Sequence, residues 1–172
     1  MFVDESGTHI SMDRLRSRAP KGVRAYGKVP KNKGKNLRLI ASMSLHGMGE
    51  SMCFEGATDA AAFKVYVEHL LAPSLTEGQV VVMDNLGAQR PKRIRELIEA
   101  RGAELVYVPS YSPDLNPIEQ AFSKIKNILR KLGARTHKAL LAAMEKALCK
   151  VTPSDAAGWF EHCGYQLEVQ YL

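Results

Sequence analysis

A continuous apolar run, Val-Val-Val-Met at residues 80–83, ends abruptly in Asp84 and Asn85. Such a run is typical of a strand that is buried on both faces in the middle of a parallel sheet. An amphipathic helix is predicted over residues 91–101 and another strand over 104–108. Strands that alternate with helices pair in parallel through crossover connections, so the second half of the chain is predicted to form an α/β unit.

The first half of the chain is predicted to add antiparallel strands to this unit. Phe2 and Val3 lead directly into Asp4, which predicts a very short first strand that ends at the acid. Residues 37–45 and 51–54 predict a hairpin. The predicted fold class is therefore α/β, with a mixed five-stranded sheet flanked by helices. The other predicted helices are 58–71, which Pro73 should stop, 117–132, and two C-terminal helices within about 136–163.

The composition of the chain, 172 residues with 45% hydrophobic and 24% charged, indicates one globular domain over residues 1–172. Its three cysteines are too few and too scattered for a disulfide scaffold. The chain has no apolar stretch of about 18 residues, and its first residues lack the basic start and apolar run of a signal peptide. We therefore expect a cytoplasmic protein with no membrane partner.

The positive charge is concentrated in one segment, residues 14–38, which we name the basic arm. The net charge of the chain is +6, yet the arm contains ten basic residues and no acidic one, so the remainder is mildly acidic. A basic stretch of this kind suits binding to the phosphates of DNA, although a solvated loop is an equal alternative. Its basic residues are Arg14, Arg16, Arg18, Lys21, Arg24, Lys28, Lys31, Lys33, Lys35 and Arg38.

Two predicted strands end in an acid, Asp4 in one case and Asp84 in the other. If these strands are parallel neighbours, the carboxylates meet at the carboxyl edge of the sheet, where open α/β sheets bind ligands. Adjacent carboxylates repel each other unless a cation lies between them, and Mg²⁺ or Mn²⁺ suits oxygen ligands. The alternative is that Asp84 and Asn85 open a turn and that Asp4 is a surface acid.

Glu119 is a third candidate acid, near the start of the helix predicted over 117–132. One interpretation is structural, because Asn116 suits the N-cap and Glu119 can close a capping box. The other interpretation is functional, since helical spacing places Glu119 on one face with Ser123, Lys126 and Arg130. A carboxylate followed by basic residues suits an acid-held metal beside a phosphate backbone, which makes Lys126 and Arg130 candidate DNA contacts.

Three short blocks also carry a resemblance to a known family. They read Phe-Val-Asp-Glu at 2–5, Val-Met-Asp-Asn at 82–85 and Ser-Pro-Asp-Leu-Asn-Pro-Ile-Glu at 112–119. The last block is long and specific, and 34 residues separate its Glu119 from Asp84. Together with Trp-Phe-Glu-His-Cys-Gly-Tyr at 159–165, these blocks resemble the DDE transposases of insertion sequences in the mariner-like superfamily.

The resemblance implies a ribonuclease-H-like fold in which Asp4, Asp84 and Glu119 are the catalytic, metal-binding carboxylates. It implies two Mg²⁺ ions, for which Mn²⁺ can substitute, about 4 Å apart around the scissile phosphate. The expected reactions are cleavage at transposon ends and strand transfer into target DNA, typically at TA dinucleotides. Glu5 and Asn85, each adjacent to a catalytic acid, are the expected supporting residues.

The resemblance also implies partners, because members of the family carry a helix-turn-helix region ahead of the first catalytic acid and this sequence shows none. We expect an upstream helix-turn-helix product, joined by frameshifting or separate, and a homodimer on bacterial chromosomal or plasmid DNA. Gln89 occupies a position where the family often has His, which puts a proton-handling role there in doubt.

Two other functions fit the same residues. A non-catalytic or decayed DNA-binding subunit would retain DNA without cutting it. A related ribonuclease-H-like nuclease would cut DNA without joining it.

Overall fold

Five strands form one mixed sheet in the spatial order β3-β2-β1-β4-β5. The computed structural model describes residues 1–16, 18–32, 34–84, 92–109 and 112–166. Strand β1 runs antiparallel to β2 and parallel to β4, so the mixed five-stranded sheet predicted from the sequence is confirmed. The strands are β1 (Phe2–Thr8), β2 (Leu37–Ser44), β3 (Gly47–Glu55), β4 (Val80–Met83) and β5 (Glu104–Tyr107).

Helices cover both faces of this sheet. The first helical segment comprises α1 (Ala60–Tyr66), a π-helical turn (Val67–Leu71) and α2 (Ala72–Ser74). The remaining helices are α3 (Lys92–Glu99), a 3₁₀ turn (Pro113–Leu115), α4 (Ile118–Leu132), α5 (His137–Leu148) and α6 (Pro153–His162).

Strand β1 is longer than the sequence predicts, because it continues past Asp4 to Thr8. The prediction that this strand ends at the acid is therefore wrong. Residues from Phe2 to Thr8 pair with β2 over their whole length, and the buried Ser6 and Thr8 extend the strand without apolar side chains. The hydroxyl of Thr8 donates a hydrogen bond of 3.3 Å to the carbonyl of Leu37, which satisfies it inside the protein.

Pro73 does not stop the first helical segment, which continues to Ser74. A proline inside a helix removes one backbone donor and clashes with the preceding turn. Here the preceding turn, Val67–Leu71, is π-helical, and the N–H of Ala72 donates to the carbonyl of Val67, five residues earlier. A wider turn of this kind is a known way to accommodate a local irregularity in a helix.

Strand β4 is buried on one face and partly open on the other, whereas the sequence predicts burial on both. Val81 and Met83 are fully buried, but Val80 is 42% exposed. On the neighbouring strand β5, Val106 is also exposed. The helices α4 to α6 pack mainly over β1 and β2, so this end of the sheet receives little cover from them.

The sheet separates two hydrophobic cores. On one side, Val3, Val81 and Met83 pack against α1, the π-helical turn and α3. On the other side, Phe2 and alternate residues of β2 pack against α4, α5 and α6. The side chains of β1 alternate between the two cores, as the period of a strand requires.

Among the residues that the structure describes, no helix combines the length and the apolar character needed to cross a membrane.

Phe122 tests the contribution of the α4 side of the core, because its side chain is only 1% exposed. We expect Phe122→Ala to lower the free energy of unfolding by about 3–5 kcal/mol, since it removes buried apolar surface and leaves a cavity. Urea denaturation at neutral pH measures the change. Leu141→Ala, at a residue of α5 that is 44% exposed, is the control and should change stability by less than about 0.5 kcal/mol. Equal effects of the two variants would contradict this assignment of the core.

Candidate active site

The sheet register brings two of the three candidate acids together. Val3 of β1 is the parallel partner of Met83 of β4, so the next residues along these strands, Asp4 and Asp84, are neighbours across the sheet. Asp84 follows the last residue of β4, whereas Asp4 lies inside β1. Only one of the two acids is therefore at a strand end, yet both reach the same position at the carboxyl edge of β4.

Asp4 is a buried carboxylate held by two hydrogen bonds. Its side chain is 5% exposed, so it is not the surface acid that the sequence left as an alternative. The N–H of Glu5 donates to Oδ1 at 2.7 Å, and the Nδ2 of Asn116 donates to Oδ2 at 2.8 Å. The second bond joins β1 to the loop that precedes α4, and both oxygens keep a lone pair for a further partner.

The pKa of Asp4 is raised from its usual value of 3.8 to about 7. Burial is the largest cause, because it disfavours the charged form. The like charges of Glu119 and Asp84 raise the pKa further, while the hydrogen bonds from Glu5 and Asn116 oppose the shift. The three candidate acids thus act on one another electrostatically.

Glu119 lies exposed in the first turn of α4 and does not close a capping box. Among the described residues no side chain caps this helix, and the Nδ2 of Asn116 donates to Asp4. Asn116 contributes only its backbone carbonyl, which accepts from the N–H of Glu119 at 3.2 Å. The structural interpretation of Glu119 is therefore wrong, and its side chain is available to the space beside Asp84.

A small cavity of about 70 Å³ lies between the end of β4 and the start of α4. It is lined by Asp84, Val108, Ser112, Pro113, Asn116 and Glu119. Asp4 sits behind its wall, bound to Asn116. The cavity is large enough for one or two water-sized species, and its lining combines the carboxylates of Asp84 and Glu119 with the apolar Val108 and Pro113.

The donor chemistry of this cavity suits a hard divalent cation, because carboxylate and amide oxygens are the ligands that Mg²⁺ and Mn²⁺ take. Burial and the charges of Glu119 and Asp84 raise the pKa of Asp4, and no cationic side chain of the described residues offsets that shift. Within the described residues, however, no three acids, histidines or cysteines lie close enough together to form a complete ligand cage. The donor types at this edge suit such a cation, but the described acids do not form a complete ligand set.

The loop that carries Asn116 is fixed from the C-terminal side of the chain. The hydroxyl of Tyr165 donates to the carbonyl of Leu115 at 2.8 Å. The ring of Tyr165 packs edge-on against Phe2 at 5.1 Å and against Phe160 at 5.9 Å. These contacts connect the 3₁₀ turn before α4 to β1 and to α6.

Sequence reasoning missed two residues of this arrangement, Asn116 and Tyr165. The local sequence favours Asn116 as a helix cap, and it contains no signal that the amide of Asn116 binds an acid 112 positions away. Tyr165 ends the block at 159–165, and its role depends on a contact 50 residues away that no local pattern reveals.

The expected supporting residues have different placements. Glu5 supports Asp4 through its backbone N–H, while strand alternation points its side chain to the opposite face of the sheet. Asn85 and Gln89 lie outside the described residues, so their predicted roles stay predictions.

The basic arm is an exposed segment that contains no helix or strand in its described part before β2. Arg135 holds its beginning, donating to the carbonyls of Ile10 and Met12 at 3.1 and 2.7 Å. Arg14 reaches the carbonyl of Lys131 at the end of α4. Arg38 is in β2, and Lys33 is outside the described residues.

Lys126 and Arg130 are both half-buried on α4, on the same helix as Glu119. The side chain of Arg130 donates to Oδ1 of Asn127 at 2.9 Å. Arg130 lines one groove together with Arg14 and Arg16 of the basic arm.

Residues 1–141 match a family described as the DDE superfamily endonucleases. Among proteins with curated functions, none is similar enough in sequence to count as a relative. Solved structures are similar in fold. The Mos1 transposase paired-end complex with the left transposon end superposes with a TM-score of 0.74 at 16% identity, over 94% of this chain and 51% of that chain.

Two isolated catalytic domains are similar as well. The crystal structure of the catalytic domain of Mos1 mariner transposase matches with a TM-score of 0.59 at 12% identity, over 97% of this chain and 84% of that one. The catalytic core domain of BIV integrase matches with a TM-score of 0.53 at 17% identity, over 96% and 98%. These similarities confirm the ribonuclease-H-like fold.

This chain spans about half the length of the Mos1 transposase in the paired-end complexes. Mos1 paired-end complexes have been solved with Mn and with Mg.

The raised pKa of Asp4 predicts an unusual dependence of stability on pH. Because the folded chain holds this proton more tightly than the unfolded chain, the group favours folding below pH 4, and that contribution is lost as the pH rises to about 7. Without divalent metal, we expect the free energy of unfolding to fall over this interval by up to about 4 kcal/mol relative to Asp4→Asn. Urea denaturation of both chains in EDTA across the interval is the measurement. Parallel curves for the two chains would contradict the prediction.

Proposed function

This chain belongs to the DDE superfamily of endonucleases, and on that premise we propose that it is the catalytic domain of a transposase. In this proposal it cuts DNA at transposon ends and joins the freed ends to target DNA. The observation that carries the proposal is that Asp84 and Glu119 line one small cavity at the carboxyl edge of the sheet, while Asp4 lies behind its wall and its pKa is raised by both acids.

In this proposal the three carboxylates hold divalent cations, Mg²⁺ with Mn²⁺ as a substitute. Bound at the scissile phosphate, such ions supply activation of the attacking oxygen and stabilisation of the leaving oxygen. The chain itself orients the ligands. Asn116 and the N–H of Glu5 hold the Asp4 carboxylate in one orientation, so this ligand loses little conformational entropy on binding.

The same residues make binding dependent on pH. Because the pKa of Asp4 is about 7, a proton and a cation compete for this carboxylate near neutral pH. Glu119 is exposed at the helix start and is therefore the ligand best placed to move when the set closes.

DNA is the proposed substrate, with its phosphates neutralised by the basic arm and by Lys126 and Arg130. The arm is exposed, and Arg14 connects it to the end of α4, which begins at the acids. Opposite charges thus lie at the two ends of one helix, the acids for the scissile phosphate and the cations for the flanking backbone. The proposed target is a TA dinucleotide, an expectation that comes from the family resemblance alone.

We assign recognition of the transposon ends to a helix-turn-helix product, which is either fused to this chain or separate from it. Support comes from length, since this chain spans about half of the Mos1 transposase. We further propose that residues 1–172 act as one catalytic domain and assemble as a homodimer on chromosomal or plasmid DNA in the bacterial cytoplasm.

Removal of Asp84 or Glu119 should abolish catalysis. We expect Asp84→Ala and Glu119→Ala to lower cleavage and strand transfer by at least about a hundredfold, because each loses a ligand of the reacting centre. The assay incubates the chain, alone and fused to an upstream helix-turn-helix product, with transposon-end DNA and a TA-containing plasmid. Reactions contain Mg²⁺ or EDTA.

Glu145→Ala, at an exposed acid of α5, is the matched control and should retain activity. Full activity in either test variant would refute the proposal. Cleavage without joining would assign the chain to the nucleases of this fold, and metal-independent DNA retention without cleavage would assign it to non-catalytic subunits.

The basic arm should contribute to DNA affinity without regard to sequence. Neutralising Lys31, Lys33 and Lys35 to Gln is expected to weaken binding and to lower the slope of log K against log salt by up to about 3, since each phosphate contact releases about one counterion. Titrations of fluorescent DNA at several salt concentrations measure the slope.

The control replaces three basic residues on the other face of the sheet, Lys64, Lys92 and Arg93. Each of them forms an ion pair with a glutamate on its own helix. The slope should stay unchanged in the control, and an unchanged slope in the test variant would make the arm a solvated loop.

A further inference from the structure

Two adjoining grooves run along the outward side of α4. The first, of about 500 Å³, lies between α4 and α6 and is lined by Gln120, Ser123, Asn127, Lys131 and Trp159, among others. The second, of about 690 Å³, lies between the end of α4 and the start of the basic arm. Because both grooves include Asn127 and Lys131, they form one continuous surface, which we name the α4 groove.

The α4 groove begins in the first turn of α4, the turn that also carries Glu119. Its first residue, Gln120, follows Glu119 and lies about 100° around the helix from it. From Gln120 to Lys131 the helix rises about 16 Å, which is the length of four or five stacked nucleotides of one strand. A strand that leaves the cavity at Glu119 can therefore follow this surface to the basic arm.

The charge of the groove is positive and largely uncompensated. The arm contributes Arg14 and Arg16, and α4 contributes Arg130 and Lys131. None of these four takes part in the ion pairs of the described residues. A fifth cation, Lys124, is paired with Asp155 of α6, and this contact holds the wall of the groove together.

Trp159 gives the groove an aromatic wall. It is the single tryptophan of the chain, half-buried, with part of its surface packed against the core and part lining the groove. Its indole N–H has no hydrogen-bond acceptor among the described residues, so the ring is not fixed by a polar contact. Packing against the core explains the buried part of the Trp159 ring. It does not explain why amide and cationic side chains surround the exposed part.

An aromatic ring beside cations and amide side chains is the composition of a site for unpaired nucleotides. The ring stacks on the face of a base and the cations contact phosphates. The amides of Gln120 and Asn127 contact Cys163 and Arg130, and each keeps further hydrogen-bonding capacity for a base edge. In a continuous duplex each base is already stacked and paired, so a groove wall reaches only a base that has left the helix.

We propose that the α4 groove binds the unpaired stretch of a DNA strand, with one base stacked on Trp159 and its phosphates on Lys131, Arg14 and Arg16. This inference rests on the proposed function, because it assumes that DNA reaches the acids at the other end of α4. Beyond that function, the inference states that this surface binds unpaired DNA and that Trp159 is the residue that contacts a base.

The single tryptophan makes the test direct. The full chain, in EDTA to prevent cleavage, is titrated with a single-stranded oligothymidylate, with an abasic strand of equal length and charge, and with a fully paired duplex. Stacking on Trp159 should quench its emission with the oligothymidylate, and much less with the abasic strand or the duplex. Binding itself is followed separately by anisotropy of labelled DNA.

Two variants complete the experiment. Trp159→Leu should weaken binding of the oligothymidylate by about five- to 150-fold, the range for loss of one base–aromatic stack, while Trp159→Phe keeps a ring and should lose less. Circular dichroism checks that both variants fold. If Trp159→Leu does not fold, the comparison of the oligothymidylate with the abasic strand in the unaltered chain still decides.

Several outcomes would overturn the inference. One is that the emission of Trp159 stays unchanged when the chain is saturated with oligothymidylate. Another is that the abasic strand or the duplex quenches the emission as much as the oligothymidylate does. The third is that a folded Trp159→Leu variant binds the oligothymidylate with unaltered affinity. The strand-transfer assay separates this failure from that of the proposed function. Transfer without a Trp159 response refutes only the groove, whereas a response without transfer leaves a single-strand-binding surface on a chain that is not a transposase.

Discussion

The hydrogen bond between Asn116 and Asp4 determines how the site is assembled. It joins residues that are 112 positions apart, one in the central strand and the other at the entry to α4. It adds a polar contact to the apolar packing of Ile118 and Phe122, which holds the start of α4, and with it Glu119, against the sheet. The bond also lowers the free energy needed to bury the charged carboxylate. Burial still dominates, because the pKa of Asp4 remains above its usual value.

Much of this arrangement is predictable from the sequence, for identifiable reasons. The run at 80–83 predicts β4 and the position of Asp84 at its end, because a short run of β-branched apolar residues that ends in an acid is typical of a buried strand. Membership of the family was likewise predictable, since the block at 112–119 is long and specific. The sequence could not predict that β1 extends beyond Asp4, because its later residues are polar and are buried only through pairing with β2.

The errors share a physical origin in contacts between distant parts of the chain. Local pattern made Asn116 a helix cap and Pro73 a helix stop, since both residues have strong local preferences. In the structure the amide of Asn116 donates to the distant Asp4, and the π-helical turn before Pro73 accommodates the proline ring. The roles of Asp4, Asp84, Glu119 and Glu5 remain predictions, supported by their placement, and those of Asn85 and Lys33 fall outside the described residues.

The contact of Tyr165 with Leu115 has a consequence for the order in which the protein matures during synthesis. Chains emerge from the ribosome N-terminus first, and contacts between distant residues form only after both have been made. The loop before α4 is pinned by a hydroxyl that follows it by 50 residues, and Tyr165 shares an aromatic cluster with Phe2. A nascent chain that already contains all three acids therefore still lacks the side chain that fixes the loop before α4. The last contact around this loop forms only near the end of synthesis.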